Sequence, residues 1–455
     1  MKKLNKVLIV LLTLAMLLSV AACGNTANNT AGGTTTANAT TATAEASTAP
    51  AATAPAGDKS ITIWCWDNSD TRKQMHADFT KEMGITVNLT SVLAIDMAQK
   101  LQTTLAAGGE MPDIAWSEAT YRGALLNLGI WEDITKAPYS FDTSKVLDYL
   151  VQLETSVDGQ YIGPECPSVA GIAYKRELAK QYFGTDDPAE LEKMFPTWND
   201  FIAKGKEVQQ KSNGKVFMFS SLGALGLILK GQGATPFVTG DKITFTDSMK
   251  PILSQVSEFA KAGVVDVYDY DSAEEGASYA TKEDIFYPCA NWSVKFTIET
   301  NDKNGNNKWG FMLPPGGGFA MGGTVMAVPA AAKHKEDAVT YIKYFFQDER
   351  GAALQKKYKG NFSPFKPLYE KSEPYYTTPD PFFSNQDVMK DIQTRVLPSI
   401  KNVRTPVPYD QAITDAYNLA LKSINAAKGN VNVDDLLKTM ADQLITNNPG
   451  LSREN

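Results

Sequence analysis

Carboxylate and tryptophan side chains occur together where two predicted strands end. Trp66 and Asp67 close one alternating stretch, and Trp116 and Glu118 follow a second, more apolar stretch. Ligands of open α/β sheets bind at the carboxyl ends of the strands, so these four side chains are expected at one rim. Carboxylates combined with aromatic rings suit the binding of sugars and their cleavage alike. The alternative is that both tryptophans only fill the hydrophobic core.

The elements around these residues alternate between strand and helix. Strands are predicted over 60–66, 85–89 and 111–116, with helices over 71–83 and 96–107 between them. This order is typical of a parallel sheet with crossover helices. The sequence therefore predicts an α/β fold whose first sheet carries the four rim residues.

Later segments add strands and helices of the same kind. Two apolar runs, 309–313 and 324–328, end at prolines and predict buried strands. The helix that follows them has apolar residues at helical spacing on one face; these are Ala338, Val339, Tyr341, Ile342, Phe345 and Phe346. Thr197 and Asp200 fit a capping box at the start of another helix.

Size, charge and composition exclude several classes of protein. The 455 residues carry 44 basic and 51 acidic side chains, a net charge of −7. An acidic chain without a basic run is a poor candidate for nucleic-acid binding. The sequence has only two histidines, and the spacing of its cysteines matches no metal-binding motif. We therefore expect neither a metal site nor a cofactor. Residues 59–455 are enough for two domains. Cys65, Cys166 and Cys289 are expected to be small buried residues, and one disulfide among them is the alternative.

The N-terminus has the pattern of a secreted lipoprotein. Three lysines precede the apolar run 7–18, which is too short for a membrane span. The run VAACG at 20–24 resembles a bacterial lipobox, which implies removal of a signal peptide, 1–22, and attachment of acyl chains such as palmitate at Cys23. An ordinary secretion signal with an incidental cysteine is the alternative. Residues 23–58, rich in Thr and Ala, are expected to form a disordered linker.

Several motifs occur in the order found in one known family. They are ITIWCWD at 61–67, AAGGEMPDIAWS at 106–117, LGIWEDIT at 128–135, PTWND at 196–200 and KEDAVTYIKYFFQDERGAALQ at 335–355. Their order resembles the sugar-binding family of extracellular solute-binding proteins of bacterial ABC importers, which includes the maltose-binding-protein-like lipoproteins. No single motif is specific, so the resemblance rests on their order.

The resemblance implies a two-lobed periplasmic-binding-protein fold of the type II-like class. Each lobe would be a parallel-type sheet flanked by helices, and the chain would cross between the lobes in a hinge of three segments. The N-terminal lobe would comprise 59–168 and 316–366, and the C-terminal lobe 169–315 and 367–455. The ligand would lie in the cleft between them.

Site residues are carried over from the family at matching positions. These expected ligand contacts are Trp66, Asp67, Trp116, Ser117, Glu118, Glu165, Asn291, Trp292, Gly322, Gly323 and Tyr409. An indole ring offers a flat apolar surface to a sugar ring, while polar side chains pair with its hydroxyls. Glu165 stands where the family has an apolar filler, and it is either a ligand acceptor or a salt-bridge partner in the hinge. The two glycines are either close to ligand or part of a tight turn, and Asp113 is expected to organise its loop.

The resemblance implies a substrate-binding component of an ABC transporter. It would be a monomer, anchored by lipid to the extracellular face of the cell membrane, that captures an oligosaccharide and delivers it to the permease without catalysing a reaction. A different cargo, such as a peptide, a polyamine or a chelated metal, is one alternative. The other is an extracellular enzyme that degrades polysaccharide with a carboxylate pair drawn from Asp67, Glu118 and Glu165.

Overall fold

The strands of this α/β protein fall into three sheets in the computed structural model. The structure describes residues 59–358, 362–400 and 402–454, which belong to one unit, Ala56–Asn455. The predicted signal peptide, Cys23 and the linker 23–58 lie outside the described residues. The strands, in chain order, are β1 (Ser60–Cys65), β2 (Thr86–Ser91), β3 (Ile114–Glu118), β4 (Val169–Lys175), β5 (Phe217–Phe219), β6 (Val238–Thr239), β7 (Lys242–Ile243), β8 (Asp284–Ala290), β9 (Trp309–Met312), β10 (Phe319–Ala320), β11 (Thr324–Ala327) and β12 (Ser452–Arg453).

Helices cover the faces of the two larger sheets. The main helices are Asp70–Met83, Met97–Ala106, Arg122–Leu126, Asp148–Leu153, Arg176–Phe183, Pro188–Met194, Trp198–Ser212, Leu222–Gln232, Lys250–Ala262, Ala273–Ser278, Lys335–Gln347, Glu349–Lys357, Asp410–Ala426 and Val433–Asn447. Shorter ones are Phe245–Ser248, Glu299–Asn301 and Val388–Asp391, with π-helical turns at Val294–Ile298 and Ile392–Val396. No helix within the described ranges is long and apolar enough to cross a membrane.

The first sheet has the strand order β11-β3-β1-β2. β1 pairs in parallel with β2 and β3, while β11 returns from late in the chain and pairs antiparallel with β3. The predicted strand–helix–strand–helix–strand order is therefore confirmed for this sheet. Because β1 and β3 run in parallel, their carboxyl ends lie at the same edge, which is where the rim residues were expected.

The second sheet has the order β10-β4-β8-β5, with β9 also paired to β4. Only β5 and β8 are parallel, whereas β4 is antiparallel to β8, β9 and β10. The prediction of a parallel-type sheet in each lobe is therefore wrong for this second sheet, because β4 pairs antiparallel with all three of its neighbours. Every residue of β4 and β8 is buried, so both faces of the sheet are covered. A third, small sheet, β12-β7-β6, lies apart from these two.

Two predicted helix features are confirmed. The apolar face predicted for the helix Lys335–Gln347 is buried, and it packs on the ring of Phe79 in the helix Asp70–Met83. Thr197 and Asp200 form the predicted capping box at the start of the helix Trp198–Ser212. Periodicity and capping chemistry were sufficient for both because each is a local property of the chain.

Two chain segments run side by side between the two large sheets. The segment 164–168 precedes β4, and the segment 321–326 leads into β11. Met326 donates its backbone N–H to the carbonyl of Pro164 at 3.0 Å, and Met321 donates to the carbonyl of Ser168 at 2.9 Å. We refer to 164–168 and 321–326 as the crossing segments, because both connect a strand of one sheet to the other sheet.

Candidate functional site

The first-sheet rim brings two tryptophans into contact. Trp66 follows β1 and Trp116 lies in β3, and their ring centroids are 5.1 Å apart in an edge-to-face arrangement. Trp116 is almost fully buried, whereas Trp66 is half-buried. Trp116 therefore contributes to the hydrophobic core, as the alternative prediction held for both tryptophans. Trp66 retains an exposed surface that can contact a ligand.

Arg72 organises the polar part of this rim. It lies in the first turn of the helix Asp70–Met83, and its Nε donates to Asp67 Oδ2 at 3.0 Å. Its guanidinium carbon lies 4.9 Å from the centroid of the Trp116 ring, a cation–π distance. Burial alone would raise the pKa of Asp67, but Arg72 and hydrogen bonds from Ser69 outweigh burial and lower that pKa. Asp67 is therefore a fixed, charged hydrogen-bond acceptor.

Trp292 approaches the same region from the end of β8. Its Nε1 donates to Ser168 Oγ at 2.8 Å, and that hydroxyl donates to the carbonyl of Met321 at 2.8 Å. Both crossing segments therefore hold the indole. One turn later Phe296 is 70 % exposed, so its ring is available for contact with a ligand.

These residues line one cavity of about 660 Å³, which we call the cleft cavity. Its size lies within the usual range of about 300–1,000 Å³ for small-molecule sites. Seven predicted contacts line it: Trp66, Asp67, Trp116, Glu118, Trp292, Gly322 and Gly323. Arg72, Ser168, Lys295 and Phe296 also line it and were not predicted. A basic residue in the first turn of a helix opposes the helix dipole, so Arg72 carried a sequence signal of a special role.

Four predicted contacts are not among the residues that line the cleft cavity. Ser117 is buried in β3, and Asn291 joins the strand ends by accepting the backbone N–H of Val169 at 3.4 Å. Tyr409 packs on the core beside the second sheet. Glu165 is 1 % exposed and forms an ion pair with Arg122. Of the two roles considered for Glu165, the structure places it as a salt-bridge partner.

The Arg122–Glu165 pair connects separate parts of the chain. Arg122 is 3 % exposed and begins a short helix, while Glu165 belongs to the first crossing segment. Burial raises the pKa of Glu165 to about 7, although Arg122 acts to lower it. Gly323 of the second crossing segment passes directly over both side chains. The pair therefore fixes the spacing of the crossing segments.

Gly323→Ala is expected to destabilise the protein by about 2–5 kcal/mol. The residue has φ +115°, and an added Cβ would overlap the Glu165 carboxylate and lie 2.6 Å from Arg122 Nη2. Gly84→Ala is the matched control, because Gly84 has φ +70° with open space around it, and it should cost only about 1–2 kcal/mol. Denaturant unfolding measures both. Equal losses in the two variants would contradict the close packing at Gly323.

Glu154 is a second buried carboxyl group beside this pair. It is fully buried, and its Oε1 accepts the backbone N–H of Glu165 at 2.5 Å. Burial and then the charge of Glu165 raise the pKa of Glu154 well above its ordinary value. At a pH between the ordinary pKa and the raised pKa, the folded state therefore keeps a proton on Glu154 that the unfolded state releases. The contribution of Glu154 to stability is therefore lost as the pH rises toward the folded-state pKa.

Glu154→Gln is expected to remove this part of the pH dependence. Glutamine keeps an acceptor for the Glu165 N–H but does not titrate. The difference in unfolding free energy between variant and parent should therefore shift in favour of the variant from about pH 5 to about pH 8, by about 1.4 kcal/mol for each unit of raised pKa within that range. Urea titrations at several pH values measure it. A difference that does not change with pH would show that Glu154 titrates normally.

Other groups have structural roles. Asp113 accepts the backbone N–H groups of Thr62 at 2.9 Å and His334 at 2.8 Å, so it organises its loop as predicted. Cys65 and Cys289 are buried, as expected, whereas Cys166 is half-buried and donates to Gln355 Oε1 at 3.6 Å. In the part of the chain that the structure describes, no group of three or more His, Cys, Asp or Glu side chains could hold a metal ion.

Solved structures share this fold. An extracellular solute-binding protein of family 1 superposes with a TM-score of 0.75 at 21% identity, covering 85% of this chain and 99% of that one. The galacto-N-biose-/lacto-N-biose I-binding protein of the ABC transporter from Bifidobacterium longum gives 0.69 at 20% identity, covering 88% and 99%. The sugar-binding protein MalE from Xanthomonas citri gives 0.67 at 16% identity, covering 86% and 98%. These similarities establish the two-lobed α/β fold.

Sequence comparison establishes the family. No curated protein matches the chain with significant similarity. The family model described as bacterial extracellular solute-binding protein matches residues 74–382, which is more than half of the chain. This match includes the second large sheet, every strand of the first sheet except β1, the two crossing segments and most residues of the cleft cavity. The chain therefore belongs to the bacterial extracellular solute-binding protein family.

Proposed function

We propose that this protein is the substrate-binding component of an ABC transporter and that it captures a carbohydrate, in particular an oligosaccharide. The observation that carries the proposal is the composition of the cleft cavity. Trp66 and Trp116 from the first sheet share it with Trp292 and Phe296, and Asp67 lies among them. Aromatic rings from two elements with a fixed carboxylate between them suit a ligand that is apolar on its ring faces and polar at its edge.

The chemistry of a sugar matches this lining. An indole ring packs on the C–H face of a pyranose, and the exposed surfaces of Trp66 and Phe296 are available for such packing. Asp67 and Glu118 can accept hydrogen bonds from hydroxyl groups, which are costly to bury unpaired. The structures similar in fold include proteins solved with lacto-N-biose and with β-1,6-galactobiose, which supports the same ligand class here.

Two lobes that close on the ligand are part of the proposal. We assign 59–168 with 321–366 to the N-terminal lobe, and 169–320 with 367–455 to the C-terminal lobe. The boundary expected at residue 316 moves to 321 because β10 pairs with β4 of the second sheet. The antiparallel crossing segments support this division, because both pass between the two large sheets beside the cleft cavity. Ligand binding would favour closure about these segments, as in other binding proteins with hinged domains.

The cellular setting of the proposal comes from the N-terminus. Removal of residues 1–22 would leave Cys23 as the acylated first residue, attached to the extracellular face of the membrane. The linker 23–58 would connect this anchor to the binding unit, a monomer, which would deliver its ligand to the permease. The extracellular location agrees with the family. Globomycin, which blocks lipoprotein signal cleavage, should leave the longer precursor, as should Cys23→Ala.

Binding rather than cleavage is the proposed activity. Of the three carboxylates considered for catalysis, Glu165 is paired with Arg122 and is not among the lining residues of the cleft cavity. The pKa of Asp67 is lowered, which does not suit a general acid. His76 is buried and forms a hydrogen bond with the Tyr341 hydroxyl. Burial and the nearby Arg72 lower the pKa of His76 to about 3, so its imidazole ring remains neutral. A different cargo, such as a peptide or a polyamine, is the remaining alternative.

A thermal-shift screen of residues 56–455 tests the proposal. Mono- and oligosaccharides are compared with polyamines and short peptides, and a ligand at one hundred times its dissociation constant should add about 2.7 kcal/mol of stability. Stabilisation by a sugar that is recovered intact supports the proposal. Recovery of a cleaved sugar would identify an enzyme. A response only to polyamines or peptides would keep the binding function and change the ligand class.

A further inference from the structure

A second cavity lies next to the cleft cavity and shares Trp292 with it. It has a volume of about 460 Å³ and is lined by residues from the segments 270–279 and 288–301 together with Met321. This volume again falls within the range of about 300–1,000 Å³ for small-molecule sites. Trp292 and Met321 belong to its wall, and the hydrogen bond from Trp292 to Ser168 holds the indole at the boundary.

The chain that follows Trp292 faces both cavities in turn. Phe296 lines the cleft cavity, whereas its neighbour Thr297 and, one turn later, Asn301 line the second cavity. Phe296 and Thr297 both lie in the π-helical turn Val294–Ile298, where consecutive side chains point in different directions. A ligand that packs on Trp292 in the cleft cavity can therefore extend past the indole without leaving the protein surface.

Tyr279 provides an unpaired hydrogen-bonding group in the second cavity. It is only 7 % exposed and lines the cavity, yet its hydroxyl has no hydrogen-bond partner within the described ranges. Its ring packs on Tyr287 and Trp309, with centroid distances of 4.2 and 5.9 Å, so it cannot turn away. The hydroxyl oxygen itself is not enclosed by protein, so it can be reached from the cavity. A ligand hydroxyl would supply the missing partner.

The charge of the second cavity selects against anions. Glu275 is 4 % exposed, and it accepts hydrogen bonds at 2.8 Å from the hydroxyls of Ser220 and Ser221 and at 2.5 Å from the backbone N–H of Asp271. Among the described residues, no lysine, arginine or histidine lines this cavity. A neutral ligand group with several hydroxyls fits these surroundings, whereas a carboxylate or sulfate group would meet uncompensated negative charge.

We infer that the second cavity binds a further, neutral sugar unit of the same ligand, so that one oligosaccharide passes Trp292 and occupies both cavities. This inference rests on the proposed carbohydrate-binding function and adds a minimum length and a charge to the ligand. Tyr279 acts as the specificity-determining residue for the second unit, because its hydroxyl makes no hydrogen bond within the described residues and is positioned on the cavity wall to bond a hydroxyl of that unit.

Calorimetric titration of residues 56–455 tests the inference with defined probes: glucose, maltose and maltotriose, galactose and β-1,6-galactobiose, and the anionic digalacturonate. In at least one series the disaccharide should bind more tightly than its monosaccharide, and digalacturonate should bind more weakly than the neutral disaccharides. Tyr279→Phe should weaken binding of that disaccharide about five- to tenfold and leave monosaccharide binding unchanged. Its melting temperature should not fall, since the hydroxyl makes no internal hydrogen bond.

Tyr287→Phe is the matched control. The Tyr287 hydroxyl accepts from Lys175 at 3.1 Å and donates to the carbonyl of Ser278 at 3.0 Å, and it lines neither cavity. This variant should lower the melting temperature without changing the ratio of disaccharide to monosaccharide affinity. If monosaccharides bind as tightly as their oligomers, or if Tyr279→Phe weakens both equally, the inference is wrong while the proposed function stands. If no sugar binds, both are wrong.

Discussion

Replacing Arg122 by methionine is expected to lower the free energy of unfolding by about 3–5 kcal/mol. The guanidinium is the cation that the structure places against the buried Glu165 carboxylate. Methionine fills much of the same space, but it leaves that carboxylate buried without an opposite charge. Burial also raises the pKa of Asp410 to about 6, and Arg122 is one of the cations that lower it, so a second carboxyl group loses support.

The loss in Arg122→Met should grow with pH. Without Arg122 the folded-state pKa of Glu165 rises above its present value of about 7, so the folded state holds the proton over a wider range than the unfolded state does. Stability is therefore lost as the pH rises, and unfolding in guanidinium should show a larger deficit at about pH 8 than at about pH 5. A deficit that is equal at both values would show that Glu165 is not the group affected.

The double variant Arg122→Met with Glu165→Leu is the control for this interpretation. It removes both charges, and buried ion pairs can often be replaced by apolar residues with little loss. We expect it to recover most of the stability that Arg122→Met loses. A double variant as unstable as the single one would indicate that the packing of Arg122 matters and that its charge does not.

The parts of the fold that the sequence predicted are those that depend on local pattern. The alternation in β1, the helical face of Lys335–Gln347 and the capping box at Thr197 all appear as expected. The rim also followed from local pattern, because parallel strands end at one edge of a sheet and therefore bring Trp66 and Trp116 together. Strand order and lobe packing required the three-dimensional structure.

Side-chain direction explains why some of the predicted site residues line the cleft cavity and others do not. Successive residues of a strand point to opposite faces, so Trp116 and Glu118 can share the cavity while Ser117 points away from it. The motif resemblance carried over all three, although the period of two would have separated them. Glu165 posed a different problem, since its partner Arg122 lies 43 residues earlier and no sequence pattern connects them. The unpaired hydroxyl of Tyr279 is likewise a property of packing alone.

Trp292→Ala is expected to weaken sugar binding by about 30- to 1,000-fold, corresponding to about 2–4 kcal/mol. The indole lines both cavities, and it is held by Ser168 and Met321 of the crossing segments. Alanine removes the apolar surface on which the ligand would pack at the boundary between them. Large aromatic side chains at the centre of a binding site typically carry this share of the binding energy.

Trp292→Phe separates stacking from positioning. Phenylalanine keeps an aromatic face but cannot donate to Ser168, so we expect an intermediate loss of about five- to tenfold. Trp198→Phe is the control, because Trp198 packs against the hydrophobic core beside the second sheet and lines neither cavity. Calorimetry on all three variants, after their folding is checked by thermal unfolding, measures the effect. If Trp292→Ala binds sugar as tightly as the parent while remaining folded, the ligand does not pass Trp292, and the cleft cavity is not the sugar site that its lining suggests.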